Sequence, residues 1–153
     1  MLKYQLLHPQ ILGALARAGH SSRILISDGN FPHYTRRGPN AELVFLNLAP
    51  GQVLVTDVLR ALCSAVPLEA AAVMDYARVG PYALSEEPPI WAEMRAILRG
   101  VGAAAAEVDL SLLERFKFYE SAGGPDVALS IATGDQRLYA NVLLTIGVVK
   151  PNK

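Results

Sequence analysis

The sequence has few of the features that mark secreted, membrane-spanning or nucleic-acid-binding proteins. It contains one cysteine, so no internal disulfide can form and a cytoplasmic location is the simple expectation. No apolar run reaches the roughly 18 residues that a membrane helix needs. The opening residues, MLKYQLLHPQ, also lack the pattern of a secretory signal peptide. We therefore expect no membrane partner.

Charge is also scarce, and its two signs are balanced. Charged residues make up 18% of the chain, with 14 basic and 14 acidic side chains. Such a chain has no excess of positive charge that would attract nucleic acid or an anionic membrane surface. The hydrophobic fraction is 52%, which favours burial beyond what one copy achieves. The composition therefore predicts a homo-oligomer without a nucleic-acid partner.

Motifs for nucleophilic, metal-dependent and nucleotide chemistry are missing as well. His8, His20 and His33 have no metal-ligand spacing, and the sequence has no CxxC, HExxH, GxSxG or GxxxxGK[ST] motif. The glycine-containing stretch RGVGAAAAE follows a predicted helix, whereas a dinucleotide-binding fingerprint follows a strand. Cys63 lies in the apolar run VLRALCSAV and is expected in the core. We expect no metal and no cofactor.

What the chain does contain is an alternation of helical and strand patterns. Helices are predicted at PQILGALARA, at DVLRALCSAV after an N-capping Thr56, and at IWAEMRAILRG after Pro89. Strands are predicted at RILIS, ELVFLNL, AAAVMDYARV, ALSIATGD and ANVLLTIGVV. This order predicts an α/β fold: a single layered domain over residues 1–153, with a partly parallel sheet flanked by helices.

One segment, LLERFKFYESAGG, fits both a strand and a helix. Its apolar residues alternate as in a strand, but it ends in a glycine pair typical of a helix stop. In both conformations Arg115 and Tyr119 point the same way, because they are four residues apart.

Polar residues at the ends of predicted elements are the candidates for chemistry. His20 follows the first helix, and Asp28 ends the first strand. Ligands of α/β proteins bind at the carboxyl ends of strands, so an acid/base site is one interpretation. A histidine at a helix end and an Asp-Gly turn explain the same residues structurally. The residue pattern alone leaves these alternatives open.

Three ordered blocks resemble a known family. They are LARAGHSSRILISDGNFP at 15–32, ERFKFYE at 114–120 and TGDQRLYANVLLTIGVV at 133–149. Together they are similar to the L-fucose mutarotase and D-ribose pyranase (RbsD/FucU) family. The ERFKFYE block, PLEAAAVM and PIWAEMRAIL resemble the fucose mutarotase type in particular.

The resemblance implies a cofactor-free isomerase that interconverts the α and β anomers of a free monosaccharide, most readily L-fucose. It also implies an RbsD/FucU-like fold assembled into a homo-oligomer, a decameric ring or smaller, with sites near subunit contacts. The alternatives are a D-ribose pyranase, which interconverts pyranose and furanose, and a sugar-binding transport-accessory protein without catalysis.

The resemblance also implies roles for individual residues. His20 and Tyr119 would be catalytic, and the substrate-binding residues would be Asp28, Glu69, Met74, Arg115, Tyr139 and Asn141. Mutarotation needs a proton to leave the anomeric hydroxyl and another to reach the ring oxygen. A histidine suits this exchange because its side chain titrates near neutral pH.

Overall fold

The computed structural model describes residues 1–99 and 108–151, so the RGVGAAAAE stretch lies, apart from Arg99, outside the described residues. The helices are α1 (Pro9–Arg17), α2 (Val55–Cys63), α3 (Pro89–Arg99) and α4 (Arg115–Ala122). The strands are β1 (Arg23–Ser27), β2 (Glu42–Phe45), β3 (Leu68–Met74), β4 (Leu110–Leu113), β5 (Val127–Ala132) and β6 (Val142–Ile146).

The strands form one six-stranded sheet in the order β2-β5-β1-β6-β3-β4. β6 pairs antiparallel with both β1 and β3, while the remaining pairs are parallel. Five strands therefore run in one direction, with β6 reversed in the middle. This confirms the predicted α/β fold with a partly parallel sheet. The start of β6 lies beside the carboxyl ends of β1 and β3, and its end lies beside their amino ends.

The helices cover the two faces of the sheet unequally. α1, α2 and α3 pack on one face and form the larger core, in which Trp91 and Leu59 are fully buried. The other face carries α4, whose Phe118 is buried against Leu25, Met74 and Leu143. Most of the buried apolar side chains therefore lie between the first face and its three helices. The second face holds a smaller apolar cluster beneath one short helix.

The ambiguous segment is a helix from Arg115 onward, because Glu114 caps its first turn, while its two leading leucines end the strand β4. The Glu114 carboxylate accepts hydrogen bonds from the Phe116 and Lys117 amides, which supplies the first turn of α4 with acceptors. The strand β4, which overlaps the start of this segment and pairs with β3, was not predicted as a separate element.

The predicted N-cap of α2 is wrong. The helix begins two residues earlier than expected, at Val55, Leu54 is its N-cap, and Thr56 is buried inside the first turn. The Val55 amide donates to the Asp135 carboxylate at 3.0 Å, and the Leu54 amide donates to Asp57 at 3.1 Å. Acceptors from Asp57 and from a distant loop therefore replace the threonine hydroxyl at this helix end.

Candidate functional site

Asp28 and Asn141 form a reciprocal hydrogen-bonded pair at one end of the sheet. Asp28 follows β1 and Asn141 precedes the antiparallel neighbour β6, so the topology brings them together. The Asp28 amide donates to Asn141 Oδ1 at 2.8 Å, and Asn141 Nδ2 donates to Asp28 Oδ2 at 3.0 Å. Each residue is only 5% exposed. Two predicted sugar contacts therefore share one rigid arrangement.

The Asp28 carboxylate is held by the turn that follows it. Its Oδ1 accepts from the Asn30 and Phe31 amides at 2.9 Å each. Burial raises the pKa of Asp28, and the hydrogen bonds from Asn30, Phe31 and Asn141 oppose that rise. Asp28 thus serves as the turn-forming residue, while Oδ2 retains a lone pair and Asn141 Nδ2 a hydrogen for a ligand.

Aromatic and apolar side chains flank this pair. Tyr119 from α4 packs against Phe31, with ring centroids 5.6 Å apart, and Met74 at the end of β3 is buried in the same cluster. The Arg115 guanidinium lies 5.7 Å from the Tyr119 ring centre, and that of Arg36 lies 5.1 Å from it. The predicted common direction of Arg115 and Tyr119 is therefore observed, and two cations lie near the Tyr119 ring.

Tyr139 has a backbone conformation that is rare for a residue with a side chain. Its φ is +58°, and the Trp91 indole donates to its carbonyl at 3.1 Å. The Tyr139 hydroxyl accepts from the Ala77 amide at 2.9 Å and donates to the Tyr82 carbonyl at 3.1 Å. The hydroxyl is thus engaged by the loop that follows β3, at the Met74 end of that strand.

The predicted catalytic His20 lies at the other end of the sheet. It occupies the turn between α1 and β1, where its Nε2 is 2.9 Å from Oε2 of Glu69 near the start of β3. The side chains are 53% and 42% exposed, respectively. His20 therefore has a carboxylate partner, and Glu69 reaches a histidine.

One copy of the chain does not bring all eight predicted residues together. The five residues of β1 separate the His20 end from the Asp28 end, by about 16 Å at about 3.3 Å per residue. Among the described residues, no hydrogen bond or ion pair joins the His20–Glu69 pair to the group around Asp28. The group at the Asp28 end consists of Asp28, Met74, Arg115, Tyr119, Tyr139 and Asn141. The roles of all eight residues stay predictions.

A cavity of about 320 Å³ opens beside Asp28, and its lining includes Phe31, His33, Phe45 and Thr133. His33 is buried, and its Nδ1 lies 3.2 Å from the Ser27 hydroxyl. Its Nε2 is buried without a hydrogen-bond partner. Burial lowers the pKa of His33, so the neutral ring is favoured there.

The sequence reasoning missed several residues of this region. Arg36 belongs to the loop 31–41, which has no periodic pattern, and Trp91 was assigned only to a helix. Phe31 lies in the block at 15–32 that resembles the family, but the sequence pattern predicts no contact for it. The double arginine in FPHYTRRGPN was the available signal for Arg36, because two adjacent cations in a loop after a strand lie near its carboxyl end.

Residues 1–99 and 108–151 contain no group of three or more His, Cys, Asp or Glu side chains placed to hold a metal ion. No helix within those residues is long and apolar enough to cross a membrane.

Comparison with known proteins places these residues in context. Residues 1–149 match the model of the RbsD / FucU transport protein family. The fucose mutarotase of Homo sapiens is 33% identical over 154 residues, which cover 96% of this chain and 92% of that protein. The fucose mutarotase of Streptococcus pneumoniae, solved with L-fucose, has a TM-score of 0.80 at 24% identity, covering 98% of this chain and 100% of that one. Bacillus subtilis RbsD, solved with D-ribose, has a TM-score of 0.72 at 22% identity, with coverages of 98% and 100%.

Proposed function

The chain belongs to the RbsD / FucU transport protein family, and on this premise we propose that it is a sugar mutarotase acting on L-fucose. The reaction interconverts the α and β anomers of the free sugar. The observation that carries the proposal is the 33% identity with human fucose mutarotase over 96% of the chain.

The geometry around Asp28 supports a monosaccharide ligand. A sugar presents hydroxyl groups at its rim and an apolar face of C–H groups. The free hydrogen-bonding capacity of Asp28 and Asn141 suits the hydroxyls, and the Tyr119 ring suits the apolar face. Arg115 beside Tyr119 supplies a positive charge for the oxygen that becomes negative as the ring opens.

The proposed mechanism needs one base and one acid. His20 takes the proton of the anomeric hydroxyl while the bond between the anomeric carbon and the ring oxygen breaks. The electron pair of that bond stays on the ring oxygen, which takes a proton from the Tyr119 hydroxyl. The open-chain aldehyde rotates about its first carbon–carbon bond, and the same steps in reverse close the other anomer. Positioned acid/base groups accelerate such steps by about 10²–10⁴-fold.

A complete site needs two copies of the chain in this proposal. The His20–Glu69 pair of one copy faces outward at one end of the sheet, and the Asp28 group lies at the other end. A neighbouring copy in a homo-oligomer would bring one end against the other. The low charge and high apolar content of the chain support such an assembly, and its single cysteine supports a cytoplasmic location.

Saturation-transfer NMR between the anomers of L-fucose, D-galactose and D-ribose tests the function. We expect catalytic amounts of the protein to accelerate anomer exchange of L-fucose most strongly. Faster pyranose–furanose exchange of D-ribose, with L-fucose unchanged, would favour the pyranase. Saturable binding without acceleration of any sugar would favour a non-catalytic sugar-binding protein.

The variant His20→Ala tests the mechanism. We expect it to lose at least about 100-fold of the acceleration, because the base is removed. Circular dichroism should match that of the unmodified protein, because His20 is exposed within one copy. The elution volume separates a loss of chemistry from a loss of assembly. Full acceleration by this variant would contradict the role of His20.

A further inference from the structure

Main-chain contacts fix the two segments that carry the hydrogen-bonded pair His20 and Glu69. Surface ion pairs of flexible side chains usually contribute little to stability. This pair differs because both partners belong to segments fixed to the end of β6. The contact is therefore held in place by more than the attraction of the two side chains.

Glu69 lies at an irregularity of the β3–β6 ladder. Leu68 pairs with Ile146 and Ala70 pairs with Thr145, so the register shifts and Glu69 has no partner on β6. An extra residue of this kind in a strand redirects its side chain, and such irregularities are frequent beside active sites. Gly147 lies against Glu69: a Cβ at Gly147 would be 3.4 Å from the Glu69 Cβ.

The His20 turn is fixed to the same end of β6. The next residue, Ser21, has a φ of +66°, which is rare for a residue other than glycine. The Ser21 amide donates to the Ile146 carbonyl at 2.9 Å, and the Ile146 amide donates to the Ser22 carbonyl at 2.9 Å. Both members of the pair are thus held against Ile146 and Gly147.

We infer that Glu69 acts chiefly as a positioning residue, through its hydrogen bond to His20. The inference rests on the proposed function. A carboxylate only accepts hydrogen bonds, so His20 Nε2 carries the hydrogen of this contact and Nδ1 carries a lone pair. Nδ1 is then the atom that takes the proton of the anomeric hydroxyl. The Glu69 charge stabilises the imidazolium formed in that step, and both effects act on turnover.

Three substitutions of Glu69 and one control test the inference. Glu69→Ala removes the acceptor, Glu69→Gln removes the charge, and Glu69→Asp keeps the charge but shortens the side chain by one methylene. Glu42→Gln is the matched control, because it also removes one carboxylate from a surface ion pair, that with Arg17. For each variant, kcat and KM for anomer exchange are measured over a range of L-fucose concentrations.

We expect Glu69→Ala and Glu69→Gln to lower kcat about tenfold to 100-fold with KM changed less than about twofold. Glu69→Asp should recover part of kcat, and Glu42→Gln should match the unmodified protein. A raised KM with unchanged kcat in the Glu69 variants would make Glu69 a sugar contact and would overturn the inference.

The tautomer of His20 provides a readout that needs no activity. In the ¹⁵N spectrum of histidine-labelled protein, with His20 assigned from the His20→Ala variant, we expect the hydrogen on Nε2. In Glu69→Ala we expect a mixture of the two tautomers. Identical His20 signals in both proteins would overturn the inference even if kcat falls. If the unmodified protein accelerates no sugar, the proposed function fails, and these spectra alone then uphold or reject the orienting contact.

Discussion

Asp28 has a structural and a proposed chemical role at the same atoms. One carboxylate oxygen forms the turn after β1, and the other is paired with Asn141. A buried carboxylate whose pKa is raised costs stability near neutral pH, because the unfolded chain ionises more readily. An asparagine at position 28 would fill a similar volume without this cost. An ionisable side chain there is expected if a ligand needs a charged acceptor.

The buried His33 predicts a pH dependence of stability. Its pKa is lowered from the reference value of 6.5 by burial, and Ser27, Ser130 and Phe45, which contact it, are neutral. The unfolded chain therefore takes up the proton first, as the pH falls through about 6.5. The contribution of neutral His33 to the free energy of unfolding is therefore complete above that pH. Below it, this contribution falls by at most about 1.4 kcal/mol per pH unit.

Urea unfolding between about pH 7.5 and 5 measures this contribution when the unmodified protein is compared with His33→Gln. The expected difference between the two proteins is that of about one titrating group. We expect the free energy of unfolding to fall less steeply with decreasing pH in the variant. Asp28 titrates in both proteins, so its opposite effect cancels in the comparison. Equal slopes would mean that His33 stays uncharged in both states or charges at no cost.

At the residue scale, the resemblance to a family predicted more than the residue pattern did. Periodicity left His20 and Asp28 open between capping and chemistry. It could not find the Asp28–Asn141 contact, because these residues are separated by 113 positions and are joined only by the sheet. It also missed Arg36, whose approach to Tyr119 depends on the path of a loop without a repeating pattern.

At the scale of elements, the loop between β5 and β6 connects two distant parts of the chain. Asp135 of this loop accepts from the first turn of α2, and Gly134 approaches the turn at 49–53. A Cβ at Gly134 would lie 2.0 Å from the Gln52 carbonyl oxygen and 2.3 Å from that of Ala49. Only a residue without a side chain fits there unless the backbone shifts.

Gly134→Ala should therefore destabilise the protein by roughly 1–3 kcal/mol, the usual cost of overpacking. Gly19→Ala is the control, because a Cβ at Gly19 meets nothing within 4 Å. We expect Gly19→Ala to stay within about 0.5 kcal/mol of the unmodified protein. Thermal or urea unfolding measures both, and equal midpoints of the two variants would contradict the close approach.

Most elements followed from local patterns, and the exceptions have long-range causes. The strand RILIS was predicted with its observed bounds, Arg23–Ser27, because a short aliphatic run between turns has one plausible conformation. β4 was missed, since its four residues become a strand only by pairing with β3. The start of α2 was misplaced because one of its acceptors, Asp135, comes from 80 residues away.

At the scale of the whole molecule, the family assignment predicted from three sequence blocks is confirmed by the match over residues 1–149. The strand order was beyond the sequence, because pairing of β6 with β1 and β3 depends on which edges meet in the folded chain. The separation of His20 and Asp28 did not depend on that order, because the predicted strand RILIS already lies between them in the sequence.

The proposal that each site is shared between two copies makes a quantitative prediction. His20→Ala and Tyr119→Phe should each be inactive alone, because each lacks one of the two proton-transfer groups. Co-expressed in equal amounts, they should regain about a quarter of the acceleration, since a random mixture places two intact contributors at about one site in four. Anomer exchange of the mixed oligomer measures this recovery.

A mixture that stays inactive although mass spectrometry shows mixed oligomers would place both groups in the same copy. Co-expression of His20→Ala with a second change at the same end, Glu69→Ala, is the control. These two variants should not complement each other, because both damage the end that carries His20.

The reversed strand β6 has a consequence for how such a protein can vary. Its five residues run from Asn141 at one proposed half-site to Ile146 and Gly147, which hold the His20–Glu69 pair, at the other. In a shared-site assembly this strand sets the spacing between consecutive reaction centres, about 17 Å at about 3.4 Å per residue. One residue inserted into β6 or deleted from it would change the distance between neighbouring active sites and would disturb both sites.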